Sequence, residues 1–201
     1  MKRNVQIDRT TKETKISLEL TLPGEPCPEA TIDTGLPFLN HLLSSLAFYA
    51  GLGLVLKCEG DLQVDDHHSA EDCAISLGLA LREALGDRAG IRRFGSAYAP
   101  LDEALARAVV DISGRAFSVV DLGLKRESIG TLACENITHF VASFATASLT
   151  CIHLDVIRGE NDHHRAEAAF KALGLAFSQA LAPGRPGIPS LKGSLGERGV
   201  S

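Results

Sequence analysis

Two stretches of this chain share the pattern His-His-x-x-Glu: Asp65-Asp66-His67-His68-Ser69-Ala70-Glu71-Asp72 and Asn161-Asp162-His163-His164-Arg165-Ala166-Glu167-Ala168. All three motif positions of the first copy recur 96 residues later. An upstream histidine recurs as well, since His41 and His139 are 98 residues apart. Six of the seven histidines therefore belong to a duplicated arrangement, which predicts a chain made of two related halves.

The residue types in this arrangement predict a metal centre. Imidazole nitrogens and carboxylate oxygens ligate divalent transition metals, and a set rich in nitrogen favours Mn, Fe, Co, Ni or Zn over Mg or Ca. Adjacent histidines on a helix diverge by about 100°, so they are suited to two different ions. We therefore expect two ions, each bound by histidines from both halves and by one glutamate. The predicted ligands are His41, His67, His68, Glu71, His139, His163, His164 and Glu167.

A structural interpretation of these histidines is the alternative. Histidines at helix N-termini can be ordinary surface residues, with acids nearby that complement the helix dipole. One copy of the pattern would leave this open, but two copies and a paired upstream histidine argue against it. His153, which alternates with Ile152 and Leu154, is either a structural residue or part of a substrate wall.

Composition argues against several classes of function. The 201 residues are 45% hydrophobic, and a net charge of −5 gives no reason to bind nucleic acid or an anionic membrane. With no Trp and two Tyr, an aromatic platform for bases is not expected. The longest mostly apolar stretch, 42–56, is too short to span a bilayer, and the N-terminus lacks the apolar core of a signal peptide. Five scattered cysteines predict reduced thiols and a cytoplasmic protein.

Hydrophobic spacing predicts an α+β fold, with a mostly antiparallel sheet in each half and helices on one face of it. In the first half we expect strands at 14–22, 29–34, 54–60 and 61–64, and helices at 37–49 and 69–85. In the second half we expect strands at 104–112, 116–122 and 150–158, and helices at 137–148 and 165–181. The predicted organisation is a first half, 1–92, a second half, 93–182, and an irregular tail rich in Pro and Gly, 183–201.

The chain resembles the imidazoleglycerol-phosphate dehydratases of histidine biosynthesis over essentially its whole length. Beyond the two histidine motifs, the matching stretches are Arg9-Thr10-Thr11-Lys12-Glu13-Thr14, Thr34-Gly35-Leu36-Pro37-Phe38-Leu39-Asn40-His41, Arg93-Phe94-Gly95, Leu101-Asp102-Glu103-Ala104, Asp111-Ile112-Ser113-Gly114-Arg115 and Ile188-Pro189-Ser190-Leu191-Lys192-Gly193. The resemblance implies a ribosomal-protein-S5-domain-2-like fold and two manganese ions per active site. It implies trimers assembled into a hollow 24-subunit shell, with sites at subunit contacts, and conversion of imidazole glycerol phosphate to imidazole acetol phosphate.

The resemblance also implies roles for individual residues. Glu13 is the expected acid/base carboxylate, and the internal repeat makes Asp102 and Glu103 weaker candidates. The expected phosphate ligands are Arg92 or Arg93, Arg115, Lys171, Ser190 and Lys192. Three positions depart from residues common in the family, although none removes a predicted ligand: Asn40, Ser69 and Leu191.

A reaction can be inferred from this ligand set. Two ions, one at each nitrogen of an imidazole ring, would let the ring act as an electron sink for a departing hydroxyl. Two rival functions are open. A dinuclear phosphoester hydrolase would be expected to use bridging carboxylates, whereas six histidines accompany two glutamates here. A non-enzymatic scaffold would use its ions only to join subunits.

Overall fold

The computed structural model describes residues 3–25 and 30–195, and these form two similar α+β halves, as predicted. The elements of the first half are β1 (Asn4–Thr10), β2 (Thr14–Thr21), β3 (Thr31–Asp33), α1 (Pro37–Ala50), β4 (Gly53–Gly60) and α2 (His67–Leu85). Those of the second half are β5 (Phe94–Leu101), β6 (Ala104–Asp111), β7 (Phe117–Asp121), β8 (Ser128–Ile129), β9 (Leu132–Ala133), α3 (Cys134–Ser148), β10 (Cys151–Arg158) and α4 (Asp162–Leu181). Apart from the hairpin β8–β9, the two halves have the same order of elements.

The two four-stranded sheets have the same topology. Their strand orders are β1-β2-β4-β3 and β5-β6-β10-β7. In each sheet the last pair is parallel, β3 with β4 and β7 with β10, and the other neighbours are antiparallel. Alternation explains the sidedness of the sheets: on β2, Ile16, Leu18 and Leu20 are buried while Lys15 and Ser17 are exposed. The equivalent topology supports an internal duplication.

Predicted elements differ from the structure in helix starts, in strands that were missed and in one strand that does not form. All four long helices form where expected, although α2, α3 and α4 begin two or three residues earlier. The edge strands β1 and β5 were missed, because their buried faces carry few large apolar residues. The strand predicted at 61–64 is wrong: the N–H of Val64 donates to the carbonyl of Asp61 (2.8 Å) in a turn, and β3 occupies the position beside β4. Residue 29 of the predicted strand 29–34 lies outside the described residues.

Helices from opposite halves pack between the sheets. Helix α2 contacts α3, and α1 contacts α4, so each helix pair joins the two halves. One continuous set of buried apolar residues runs through both halves, and Phe144 packs edge-to-face on Phe177 at 5.6 Å between centroids. Within the described part of the chain, no helix is both long enough and apolar enough to cross a membrane.

Two glycines permit the close approach of the helices. A Cβ at Gly78 would lie 2.9 Å from the carbonyl oxygen of Phe144, and a Cβ at Gly174 would lie 2.8 Å from that of Leu46. These separations are shorter than ordinary van der Waals contact, so neither position accommodates a side chain without a shift of backbone. The glycines are 96 residues apart, the same offset as the histidine motif. The helix contact was therefore duplicated together with the candidate ligands.

We expect Gly174→Ala to lower the free energy of unfolding by about 1–3 kcal/mol. The backbone of α1 blocks the added methyl group, and this outweighs the gain of about 1 kcal/mol from the higher helix propensity of Ala. Urea unfolding of the metal-free protein measures the change, and Ser178→Ala on the same helix is the control, expected within about 0.5 kcal/mol of wild type. A Gly174→Ala protein as stable as wild type would contradict the packing argument.

Candidate metal centre

Six of the eight predicted ligands form two clusters of three. The His139 cluster contains His67, Glu71 and His139, and the His41 cluster contains His41, His163 and Glu167. Within each cluster the candidate ligand atoms all lie within 4.8 Å of one another. Both clusters offer two imidazoles and one carboxylate, a donor set that suits a divalent transition metal.

Each cluster draws on both halves of the chain. Glu71 on α2 reaches His139 on α3, with 2.9 Å between Oε1 and Nε2. Glu167 on α4 reaches His41 on α1, with 2.9 Å between Oε2 and Nε2. The helix pairs that hold these contacts are the pairs that meet at the two glycines. Each cluster therefore combines histidines from both halves of the chain.

The remaining two predicted ligands lie outside the clusters. The Nδ1 of His68 is 3.1 Å from Asp61 Oδ2, and its Nε2 is 3.6 Å from Glu13 Oε1. In the other half, the Nδ1 of His164 is 2.8 Å from Glu103 Oε2, and its Nε2 is 3.8 Å from a carboxylate oxygen of Asp102. The ring planes of the adjacent histidines are inclined at 71° in the first motif and at 89° in the second.

Acidic and amide side chains before the histidines fix the helix starts. Asp65 Oδ1 and Asn161 Oδ1 each accept a hydrogen bond of 2.9 Å from the backbone N–H two residues later. Asp66 accepts from the N–H of Ala133 at 2.6 Å, and Asp162 accepts from the N–H groups of two residues in the segment 125–126. These acids therefore orient α2 and α4 and anchor the segment that leads to α3.

Neighbouring groups shift the protonation of several site residues. Partial burial of Glu167 opposes its ionisation, but hydrogen bonds from His41 and Lys171 outweigh this and lower the pKa of its carboxyl group to about 2. The pKa of His68 is raised, chiefly by its hydrogen bond with Asp61. The pKa of His164 is raised in the same way by Glu103. Both histidines therefore hold a proton to a higher pH than usual, so a proton competes with any metal there.

Glu13 lies on an ordered turn between β1 and β2. Its N–H donates to Thr11 Oγ1 at 3.1 Å, which closes the turn, while its side chain is about half exposed. Asp72, next to Glu71, accepts a 2.5 Å hydrogen bond from Thr14 and is paired with Arg9 at 2.5 Å. This network ties the turn to the helix that carries the His139 cluster.

The predicted phosphate ligands occupy separate places in the chain. Arg92, Arg93 and Ser190 line a cavity of about 850 Å³ between the segment that leads into β5 and the C-terminal tail. Arg185, which we did not predict, lines the same cavity. The guanidinium of Arg93 donates to both oxygens of Asp111, at 2.7 and 3.0 Å, and to the Pro189 carbonyl. Lys171 instead donates to Glu167, and the cations of the tail and the β6–β7 turn, Lys192 and Arg115, are exposed.

Sequence reasoning also missed two groups that contact the histidine rings. Asn136 Oδ1 lies 2.9 Å from Nδ1 of His67, and the ring of Phe38 packs on that of His163 with 4.9 Å between centroids. The sequence did offer one indication of these contacts: Asn136 and Phe38 each precede a candidate ligand by three residues. His153 lies on the exposed face of β10, 6.2 Å between ring centroids from Phe117.

The fold and the two clusters define a class: an internally duplicated α+β protein with two candidate metal sites. The model of the imidazoleglycerol-phosphate dehydratase family matches residues 34–177. A relative of that name from Pyricularia oryzae is 52% identical over 93% of this chain and 95% of its own length. The one from Saccharomyces cerevisiae is 48% identical over 94% and 96%. This chain belongs to the imidazoleglycerol-phosphate dehydratase family, and the predicted resemblance is confirmed.

Solved structures of the family have the same fold. The Staphylococcus aureus imidazoleglycerol-phosphate dehydratase is 36% identical, with a TM-score of 0.80 over 90% of this chain and 99% of that chain. The Pyrococcus furiosus enzyme, solved in complex with (S)-C348, is 37% identical, with a TM-score of 0.80 over 94% and 100%. The similarity therefore extends across both halves.

We expect Glu167→Gln to destabilise the metal-free protein more at about pH 6 than at about pH 3. Because the pKa of Glu167 is lowered from 4.5 to about 2, its stabilising contribution is present above pH 4.5 and is lost as the pH falls toward 2. Urea unfolding at both pH values measures the difference from wild type. Glu160→Gln, an exposed surface control, should change stability little at either pH. A penalty for Glu167→Gln that grows on acidification would contradict this assignment.

Proposed function

We propose that this chain dehydrates imidazole glycerol phosphate to imidazole acetol phosphate in histidine biosynthesis, as a hydro-lyase that uses both clusters. The observation that carries the proposal is the pair of nitrogen-rich clusters in a chain of this family. Two sites of the same donor type suit a substrate whose imidazole ring has two nitrogens. A site that served only phosphoester hydrolysis would not need two metal sites matched to the two nitrogens of an imidazole ring.

The residues present fit two manganese ions per active site. Each cluster supplies two imidazole nitrogens and a carboxylate oxygen, a mixed set that Mn²⁺ accepts. Three protein ligands per cluster leave coordination positions for the substrate and for further ligands. When bound, the ions would supply Lewis acidity that stabilises the imidazolate form of the substrate ring, and this form assists departure of the hydroxyl from the carbon attached to the ring.

Glu13 is the proposed acid/base residue. It accepts the proton from the carbon next to the one that bears the ring and delivers a proton to the hydroxyl on the ring-bearing carbon, so that the elements of one water are lost. The resulting enol rearranges to the ketone. The half-exposed side chain of Glu13 is accessible to substrate, and the Thr11 and Thr14 contacts hold its turn in place. His68, one of the two predicted ligands outside the clusters, has its Nε2 3.6 Å from Oε1 of Glu13.

The substrate phosphate is assigned to the cations predicted for it. Arg92, Arg93 and Ser190 share one cavity, to which Arg185 adds a further cation. Arginine binds phosphate with two parallel hydrogen bonds, and serine adds a hydroxyl donor. We assign Arg115, Lys171 and Lys192 to the same phosphate, contributed in part by neighbouring subunits; the ammonium group of Lys171 has three donors, so it can serve the phosphate as well as Glu167.

We also propose that the chain forms a homo-oligomer. The assembly proposed is the one that the resemblance implies, 24 subunits built from trimers. Two features support sites at subunit contacts: His68 and His164 lie outside both clusters, and the phosphate candidates of one chain are dispersed. The outer face of the second sheet also exposes large apolar side chains, which mark interaction surfaces. These are Phe94, Tyr98, Val109, Phe117 and Val119. The corresponding face of the first sheet exposes polar residues such as Gln6, Asp8, Lys15, Ser17 and Lys57.

Incubation of the purified protein with imidazole glycerol phosphate tests the activity. We expect a ketone product, no free phosphate, and two manganese ions per chain in the active enzyme. Release of inorganic phosphate would instead support a hydrolase. A protein that binds metal but converts no substrate would support the scaffold function.

We expect Glu13→Gln to lower kcat by roughly 10²- to 10⁴-fold, because the amide cannot accept the proton. Metal content per chain should be unchanged, since Glu13 belongs to neither cluster. Steady-state kinetics and metal analysis of the same preparation provide the measurement. Asp102→Asn is the matched control, because Asp102 stands near His164 as Glu13 stands near His68. A larger loss in Asp102→Asn would reverse the assignment.

We expect a chelator to reduce the mass of the assembly, because ions bound by residues of two subunits would hold those subunits together. Mass photometry or light scattering, before and after chelation and again after manganese is restored, measures the change. An assembly whose mass is the same with and without metal would rule out a role for the ions at subunit contacts.

A further inference from the structure

The two clusters have the same donor types but different surroundings, and the first difference is a charge. Lys171 lies one helical turn beyond Glu167 on α4, and its Nζ is 2.8 Å from Oε1 of that carboxylate. The offset of 96 places Ile75 at the equivalent position beyond Glu71. The carboxylate of the His41 cluster therefore shares its negative charge with an ammonium group, whereas the residue equivalent to that lysine in the His139 cluster is an aliphatic side chain.

A second difference concerns the histidine rings. In the His139 cluster, Nδ1 of His67 donates a hydrogen bond of 2.9 Å to Oδ1 of the buried Asn136. This hydrogen bond fixes the tautomer that leaves Nε2 free for a metal, and it raises the basicity of that nitrogen. In the His41 cluster the equivalent position, 98 residues earlier, is Phe38, whose ring packs on His163. An aromatic ring gives that histidine no such acceptor.

Both differences make the His139 cluster bind a metal ion more strongly than the His41 cluster. An ammonium group that donates to Glu167 weakens this carboxylate as a ligand and repels a cation bound beside it. An acceptor at Nδ1 strengthens His67 as a ligand, and loss of such outer contacts typically changes metal affinity about 10- to 100-fold. The His139 cluster is thus the stronger donor set of the two.

We propose that the two metal sites are not equivalent: the His139 cluster takes up its ion first, and Lys171 keeps the His41 cluster the weaker site. This inference rests on the proposed two-metal function. It predicts that the full-length protein at limiting manganese is a one-ion species, with the second ion bound at least about 10-fold more weakly.

Anomalous diffraction tests the order of loading directly. Metal-free protein supplied with one Mn²⁺ per chain is crystallised, and data are collected above the manganese absorption edge. We expect the anomalous peak at the His139 cluster, with a second peak at the His41 cluster only at two or more ions per chain. A first peak at the His41 cluster, or equal peaks at both, would overturn the proposal.

Reciprocal substitutions test the role of Lys171. Lys171→Ile should tighten the weaker site at least about 10-fold, because it removes a positive charge beside the bound cation, and Ile75→Lys should weaken the tighter site by a similar factor. Free Mn²⁺ measured by electron paramagnetic resonance during titration gives both affinities, and circular dichroism checks that the variants fold. If Lys171→Ile leaves the difference in manganese affinity between the two sites unchanged, the role proposed for Lys171 is overturned. Wild-type protein that binds no manganese would overturn the metal part of the proposed function as well, whereas equal sites in an active dehydratase would overturn this inference alone.

Discussion

The close contact between helices of opposite halves is the constraint on which the rest of the structure depends. Gly78 and Gly174 let α2 approach α3 and α4 approach α1 to distances that a methyl group would prevent. Each candidate ligand cluster lies nearer the N-terminal ends of the same helix pair. Because a carboxylate on one helix meets a histidine on the other at about 2.9 Å, a small change in helix spacing would separate the ligands.

Much of the fold and of the candidate site was predictable because the decisive residues repeat. A constant spacing between rare residue types identifies equivalent positions without knowledge of the fold, and so the candidate ligands of both halves could be proposed together. Helical periodicity placed α1 well, since Leu42, Leu43 and Leu46 recur on one face. Edge strands were harder: on β5 the buried face consists of Gly95, Ala97 and Ala99, which give almost no hydrophobic signal.

The partition of ligands between sites was not predictable from spacing alone. Periodicity shows which residues share a helical face, but the pairing of His41 with Glu167 depends on which helices meet across the core. The roles of Asn136 and Phe38 were hidden for the same reason, because each acts on a ring from another helix. The halves then diverged in their surroundings, with a polar outer face on the first sheet and an aromatic one on the second.

The exchange of ligands between the halves has a consequence for the origin of the chain. Helix α1 of the first repeat serves the motif of the second, and α3 of the second repeat serves the motif of the first, a reciprocal pattern typical of twofold symmetry. A half-length ancestor would have held neither site as a monomer, but two identical copies would have built both at once. In a single chain the two sites can differ, as they do at Ile75 and Lys171, because a substitution in one half need not occur in the other.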